Sequence, residues 1–198
     1  MSLFNLKTQN ENLDEKIVAG LERLSQVFRI LLWNKAKEQN LSPIQIQLLI
    51  FIHHHSADKT TISYLAQEFN FTKPTISDAI KILEQKKLIK KNIDNADTRS
   101  YTIQLTSTGK KVVNETENFA NPLTSIISKS SGADKKILWQ HISNLIIQLN
   151  KLEVISVQRT CSNCKYYATN NKIHFCTLLN QKLEVQDIRI DCNEFVNV

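Results

Sequence analysis

The chain has 198 residues, 41% hydrophobic and 22% charged, the proportions of a soluble globular protein with room for one full core, or for one domain and a small appendage. Its longest purely apolar run, "LLIFI" at Leu48–Ile52, is far short of the ~20 residues that cross a bilayer. No basic segment followed by an apolar one opens the N-terminus, so the sequence predicts a cytoplasmic protein without a membrane partner. Three glycines and three prolines are all that interrupt the chain, which favours long helices over many short strands.

In chain order, 13–39 reads as one helix, because Leu13, Ile17, Leu21, Leu24, Phe28 and Leu31 recur at steps of three or four along one face. Ser42 as N-cap and Pro43 at the first helical position start a second, "LSPIQIQLLIFIHHH". "TISYLAQEFN", 61–70, is a short third. A fourth, "FTKPTISDAIKILEQKKL", is capped by Thr72 with Pro74 in its first turn. The period then changes. "LIKKNID" and "SYTIQLT" are β-favouring runs around the polar "NADTR", a hairpin with a charged tip.

Helical spacing returns at Thr108 through Val112, Thr116, Phe119, Leu123 and Ile126, with a kink predicted at Pro122. After "SGAD", where Ser131 or Asp134 can cap, a last helix runs to about Ile155. Leu138, Ile142, Leu145, Leu149 and Leu152 form its main stripe, and Ile137, Ile146, Ile147 and Ile155 a second. A helix apolar on two faces needs a partner beyond its own domain.

The net charge of +6 is concentrated. Nine basic residues against four acids between Thr72 and Lys111 account for five of the six charges, the electrostatic footprint of a nucleic-acid surface. Helix, short helix, helix with a polar N-terminus and charged hairpin is the order of a winged helix-turn-helix. Such a helix N-terminus can reach base edges in the major groove, and an arginine at a hairpin tip suits the adjacent minor groove.

Within that frame, "LAQEF" followed by "TKPTISDAIKILEQKKLI", the Asp-x-Arg-Ser of "DTRS" and the Leu-Thr-x-x-Gly of "LTSTGK" resemble the MarR (multiple antibiotic resistance regulator) family over roughly 10–155. The fold class expected is mainly α with a small β-hairpin wing. Its parts are an N-terminal dimerisation helix (1–40), a winged helix-turn-helix (41–110), C-terminal dimerisation helices (111–156) and a four-cysteine tail (157–198).

The resemblance implies a bacterial, non-enzymatic regulator. It would be a homodimer that binds a pseudo-palindromic operator in double-stranded DNA and represses, as some members instead activate, transcription; such proteins often take a small-molecule ligand, which no residue here identifies. Lys73, Pro74, Thr75, Ser77, Asp78 and Lys81 would face the major groove. Arg99 would enter the minor groove with Asp97 orienting it, and Lys90 and Lys91 would meet phosphates. One departure stands out: where the family carries glycine before the wing, this chain has Lys87. A positive φ there would cost lysine ~1 kcal/mol.

All four cysteines, Cys161, Cys164, Cys176 and Cys192, lie in the tail. The Cys-x2-Cys-x11-Cys-x15-Cys spacing suits a metal centre, either zinc or an iron–sulfur cluster, with thiol switching as the remaining alternative. Tyr167, Phe175 and Phe195 could form an apolar shell around it. Such a centre would supply stability that a tail of this size lacks. His174 reads as a bystander, and the run His53–His55 as a helix end rather than a metal site, since successive helical residues point ~100° apart. Competing readings are a metal-dependent protein-interaction module with a vestigial helix-turn-helix, and a Cys-x2-Cys thiol–disulfide enzyme. The second lacks the βαβ context it needs.

Overall fold

A computed structural model describes residues 5–94, 97–155, 159–170 and 173–197. The element order is α1 (Leu6–Glu11), α2 (Leu13–Glu38), α3 (Pro43–His54), α4 (Ile62–Glu68), α5 (Lys73–Gln85), β1 (Ile89–Asp94), β2 (Asp97–Leu105), α6 (Ser107–Thr116), α7 (Asn121–Ser128), α8 (Gly132–Lys151), β3 (Tyr167–Asn170), β4 (Ile173–Cys176) and β5 (Gln181–Leu183). β1 and β2 form an antiparallel hairpin, while β3, β4 and β5 form a separate antiparallel sheet in that order. No helix among the described residues is long and apolar enough to cross a membrane.

Helix starts follow the local code. Ser42 caps α3 in a reciprocal capping box with Gln45, and Thr72 caps α5 through the Thr75 N–H. Ser131, rather than Asp134, caps α8. The last helix stops at Lys151, short of the expected Ile155, because Glu153 turns into the left-handed region, and two further boundaries differ from expectation. Asn12 ends α1 and begins α2, its side chain accepting from the Asp14 and Glu15 N–H groups, so a short helix precedes the long one. At Pro122 the chain breaks rather than kinks: α6 stops at Thr116, and the proline sits in the first turn of a new helix, where its missing N–H costs nothing.

The core is organised around α3, which is apolar on most of its circumference. Leu48, Leu49, Phe51 and Ile52 pack with Leu65 of α4, Ile76, Ile80 and Leu83 of α5, Leu88, Ile89 and Ile103 of the hairpin, and Val113 of α6. The hairpin is pinned to this core by the Ile103 N–H, which donates to the buried Thr60 through both its carbonyl and its hydroxyl, each at 3.2 Å. By contrast, α7 and α8 bury no residue. The stripes Leu13, Ile17, Leu21, Leu24 and Phe28 of α2, and Leu138, Ile142, Leu145 and Leu149 of α8, are exposed in the single chain.

Helix α5 ends in a Schellman motif: the Leu88 N–H donates to the Leu83 carbonyl (3.0 Å) and the Lys87 N–H to that of Glu84 (2.8 Å). This requires the left-handed region at Lys87, whose φ is 57°. The lysine in the family's glycine position is therefore strained. Immediately downstream Thr106 caps α6 through the Gly109 N–H. Its own N–H and hydroxyl donate to the Leu88 carbonyl at 3.0 and 3.1 Å. Gly109 presses so close that a Cβ there would lie 2.0 Å from the Leu88 oxygen. The Leu-Thr-x-x-Gly motif is thus a cap plus a close approach.

Lys87→Gly should raise unfolding free energy by about 1 kcal/mol in denaturant titration. Gly109→Ala should lower it by about 2 kcal/mol or more, because backbone, not a flexible side chain, blocks the new methyl. Equal, small effects at both positions would contradict this geometry.

Candidate nucleic-acid interface and cysteine cavity

Helix α5 divides cleanly between two faces. Ile76, Ala79, Ile80 and Leu83 are buried against α3 and α4, which leaves Lys73, Pro74, Thr75, Ser77, Asp78 and Lys81 exposed together around its N-terminal half. Thr75 is partly engaged, its hydroxyl 2.8 Å from that of Thr72. The cap is made by Thr72 with the Thr75 N–H, and Ser77 lies outside it. The free N–H groups of the first turn add partial positive charge on the same side.

The hairpin extends from the α5 terminus. Lys90 is exposed on β1. Lys91 is held by Glu84 at 2.7 Å and lies over the Tyr101 ring, which makes it a brace between α5 and the hairpin. Asp97 and Arg99 belong to β2 by backbone; their side chains, and the tip residues Asn95 and Ala96, lie outside the described residues.

In the tail, Cys161 and Cys164 flank a single 3-10 turn, with the Cys164 N–H donating to the Cys161 carbonyl. Cys176 ends β4, and Cys192 lies in the C-terminal loop. All four line one cavity, together with Tyr166, Tyr167, Leu178, Leu179 and Leu183, and none is in a disulfide. Of the expected aromatic shell Tyr167 is present, whereas leucines occupy the walls where Phe175 and Phe195 were expected. Arg189 donates to two sulfurs, from its backbone N–H to Cys161 Sγ (3.3 Å) and from Nη1 to Cys192 Sγ (3.4 Å). Burial pushes the Cys161 thiol up despite that first hydrogen bond, the opposite of an activated thiolate. Among the described residues, no group of three or more His, Cys, Asp or Glu side chains is gathered so as to hold a metal ion. His174 bonds the Tyr167 hydroxyl and stacks on its ring.

A second cluster, unforeseen from sequence, joins the tail to the helix-turn-helix. Arg159, only 5% exposed, forks onto Asp191 through Nε (2.6 Å) and Nη2 (2.8 Å), and onto Glu68 of α4 through Nη1 (2.6 Å) and Nη2 (3.2 Å). Nη1 also donates to the Tyr64 hydroxyl, and the guanidinium lies over the Phe51 and Tyr64 rings. His55, stacked on Phe51, bridges the Phe51 carbonyl and the Asp191 carboxylate. Burial pushes the Asp191 carboxyl up, but the hydrogen bonds from Arg159 and His55 and the charge of Arg159 outweigh it and hold it at about 2. The partners are 32 to 104 residues from Arg159 in sequence, so no local pattern could reveal them.

Arg159→Met leaves two carboxylates facing each other without their cation, and should cost about 3 kcal/mol. Arg159→Lys should recover only part of this, because an ammonium cannot fork onto two carboxylates. Hydrogen exchange should quicken in 159–197 before it quickens in the α3–α5 core, and uniform protection of the tail in Arg159→Met would refute its role as the latch.

Residues 39–100 match the model of the MarR family. The Staphylococcus aureus MepR–DNA complex is 25% identical, covers 67% of this chain and 97% of its own, and superposes with a TM-score of 0.59. S. aureus MepR in its DNA-binding conformation gives 26%, 69%, 98% and 0.59. MepR described as a transcription regulator of the S. aureus multidrug efflux pump MepA gives 26%, 67%, 95% and 0.50. No curated protein sequence matches the chain. The family and these neighbours are transcription regulators, not enzymes, and about a third of this chain lies beyond the match. Residues 39–100 are thus similar to the MarR family, within a mainly helical fold with a small antiparallel hairpin that resembles that of MepR.

Proposed function

We propose that the chain is a sequence-specific DNA-binding transcription regulator, a cytoplasmic repressor that acts as a homodimer on a pseudo-palindromic operator and is modulated by a metal or redox centre in its tail. The observation that carries this is the two-faced α5. Its apolar half is spent on the core, so the exposed set Lys73, Pro74, Thr75, Ser77, Asp78 and Lys81 has no structural duty beyond the Thr72–Thr75 contact. A helix N-terminus of this kind matches the major groove in width and chemistry. The likeness to MepR in its DNA complex supports the same assignment.

In this reading Arg99 enters the minor groove with Asp97 orienting it, while Lys90 contacts phosphate. Lys91 supports the groove contacts indirectly, through its brace to Glu84. The homodimer is supported by the apolar stripes of α2 and α8. A 20-residue helix with no buried residue is covered most economically by a second copy of itself, since an isologous contact pairs one patch with itself. The tail reaches the helix-turn-helix through Arg159, so whatever loosens the tail acts on α3 and α4.

On an operator selected from random duplexes, Arg99→Ala and Ser77→Ala should weaken specific binding while leaving nonspecific binding nearly unchanged. Lys90→Ala should weaken both and flatten the slope of log affinity against log salt by about 0.9 for each phosphate it no longer neutralises. Binding absent at low salt from an intact dimer would instead favour a protein-interaction module. For the dimer, Leu145→Glu should halve the mass seen in light scattering, and an unchanged mass would remove α8 from the interface.

A further inference from the structure

The cysteine cavity has four properties that together narrow what it holds. First, all four cysteines of the chain, contributed by a 3-10 turn, the end of β4 and the C-terminal loop, line the same cavity, and none is spent on a disulfide. Second, the remaining walls are mostly apolar, Tyr166, Tyr167, Leu178, Leu179 and Leu183, with the charged Asp187, Arg189 and Glu194 among them. Such an apolar enclosure keeps water from a soft, easily hydrolysed inorganic core. Third, two sulfurs already accept N–H hydrogen bonds from Arg189, the kind of donor that stabilises anionic sulfur and compensates the charge of a thiolate-ligated centre.

The fourth property is spacing. A single zinc ion with Zn–S of about 2.3 Å draws its tetrahedral sulfurs to within about 3.8 Å of one another. Among the described residues no group of three or more His, Cys, Asp or Glu side chains is gathered so as to hold a metal ion, although all four cysteines line one cavity. A cubane cluster meets its thiolates at iron atoms on its own corners, so it needs them around a cavity rather than around a point.

The tail also needs a centre. Leu183 is its only buried hydrophobic residue among the described ones, and its strands are four, four and three residues long, too little to hold a sheet without a staple.

We propose that Cys161, Cys164, Cys176 and Cys192 ligate a [4Fe–4S]-type iron–sulfur cluster. This deepens the modulation proposed above by naming its centre. Each thiol loses its proton on binding iron and no other bond in the protein is broken. Cys192 adjoins Asp191, the tail carboxylate that receives the Arg159 fork, so the cluster fixes the backbone that presents the latch to α4.

The test uses the full chain purified without oxygen and, in parallel, reconstituted with equal parts of ferrous and ferric iron and with sulfide. Iron, acid-labile sulfide and zinc are counted per chain, and the visible absorption is recorded. Roughly four iron and four sulfide per chain with broad visible absorption are expected, and both should be lost in Cys176→Ser and Cys192→Ser but kept in Arg99→Ala. One zinc per chain with iron excluded overturns the proposal in favour of a single-ion site, and thiols that take up neither metal overturn it in favour of free cysteines. The metal content of the unsubstituted protein decides the matter even if a cysteine variant fails to fold. No DNA enters the measurement, so its failure leaves operator binding standing, and failure of operator binding leaves the cluster standing.

Discussion

The carbonyl of Leu88 is the joint on which the helix-turn-helix and its hairpin turn. It accepts from the backbone and hydroxyl of Thr106, and Gly109 rests against it, so the end of α5, the start of β1 and the start of α6 converge within one peptide. Buried carbonyls need partners, and here the partners come from the segment that must be placed relative to the wing. The same atom therefore fixes the hairpin against α5 and launches α6 toward the apolar stripes. A shift at this joint would misplace α5, the hairpin and α6 together. The cost of that economy is the left-handed Lys87 one residue earlier, a conformation that glycine adopts without strain.

Lys87 belongs to a wider pattern. Asn40, Asn70 and Glu153 also have positive φ directly after helices, with the same paired backbone bonds closing α2, α4 and α8. Each uses a residue other than glycine. Asparagine tolerates this region through its short polar side chain, whereas Lys87 and Glu153 have no such relief. Strain is thus placed at the end of α5 and at the entrance to the tail.

Much of this is legible in sequence because it is written locally. The caps Ser42, Thr72 and Ser131, the hairpin around "NADTR" and the one-faced stripes each need only a few neighbouring residues to recognise. Pro122 reads as a kink because periodicity continues through it, but a proline is as well suited to starting a helix as to bending one. The helix before Asn12 escapes because a one-and-a-half-turn helix offers too short a window for a period. In the tail, four cysteines mark a site, but the sheet that presents them has strands too short to show alternation. Arg159 is invisible for a different reason: its partners Glu68, His55 and Asp191 are joined to it only by the tertiary fold.

That fold gives one short stretch three duties. The Val185 carbonyl accepts from Trp139 Nε1 of α8 (3.0 Å). Arg189, four residues on, donates to the sulfurs of Cys161 and Cys192, and Asp191 takes the Arg159 fork and faces His55 of α3. Residues 185–192 are thus a strap from the last long helix, across the cysteine cavity, to the underside of the helix-turn-helix. An eight-residue strap with almost no apolar burial cannot hold three such appointments by itself, since ordering each residue costs roughly 1–2 kcal/mol of conformational entropy. Its middle is held by the two Arg189 hydrogen bonds to sulfur, and the cluster proposed above would fix it further. A cluster in the cysteine cavity, as proposed, would set how firmly α8 and α3–α4 are held relative to one another, and the coupling would run both ways: DNA bound by the proposed reading helix would stiffen the strap as much as a filled cavity stiffens the helix-turn-helix.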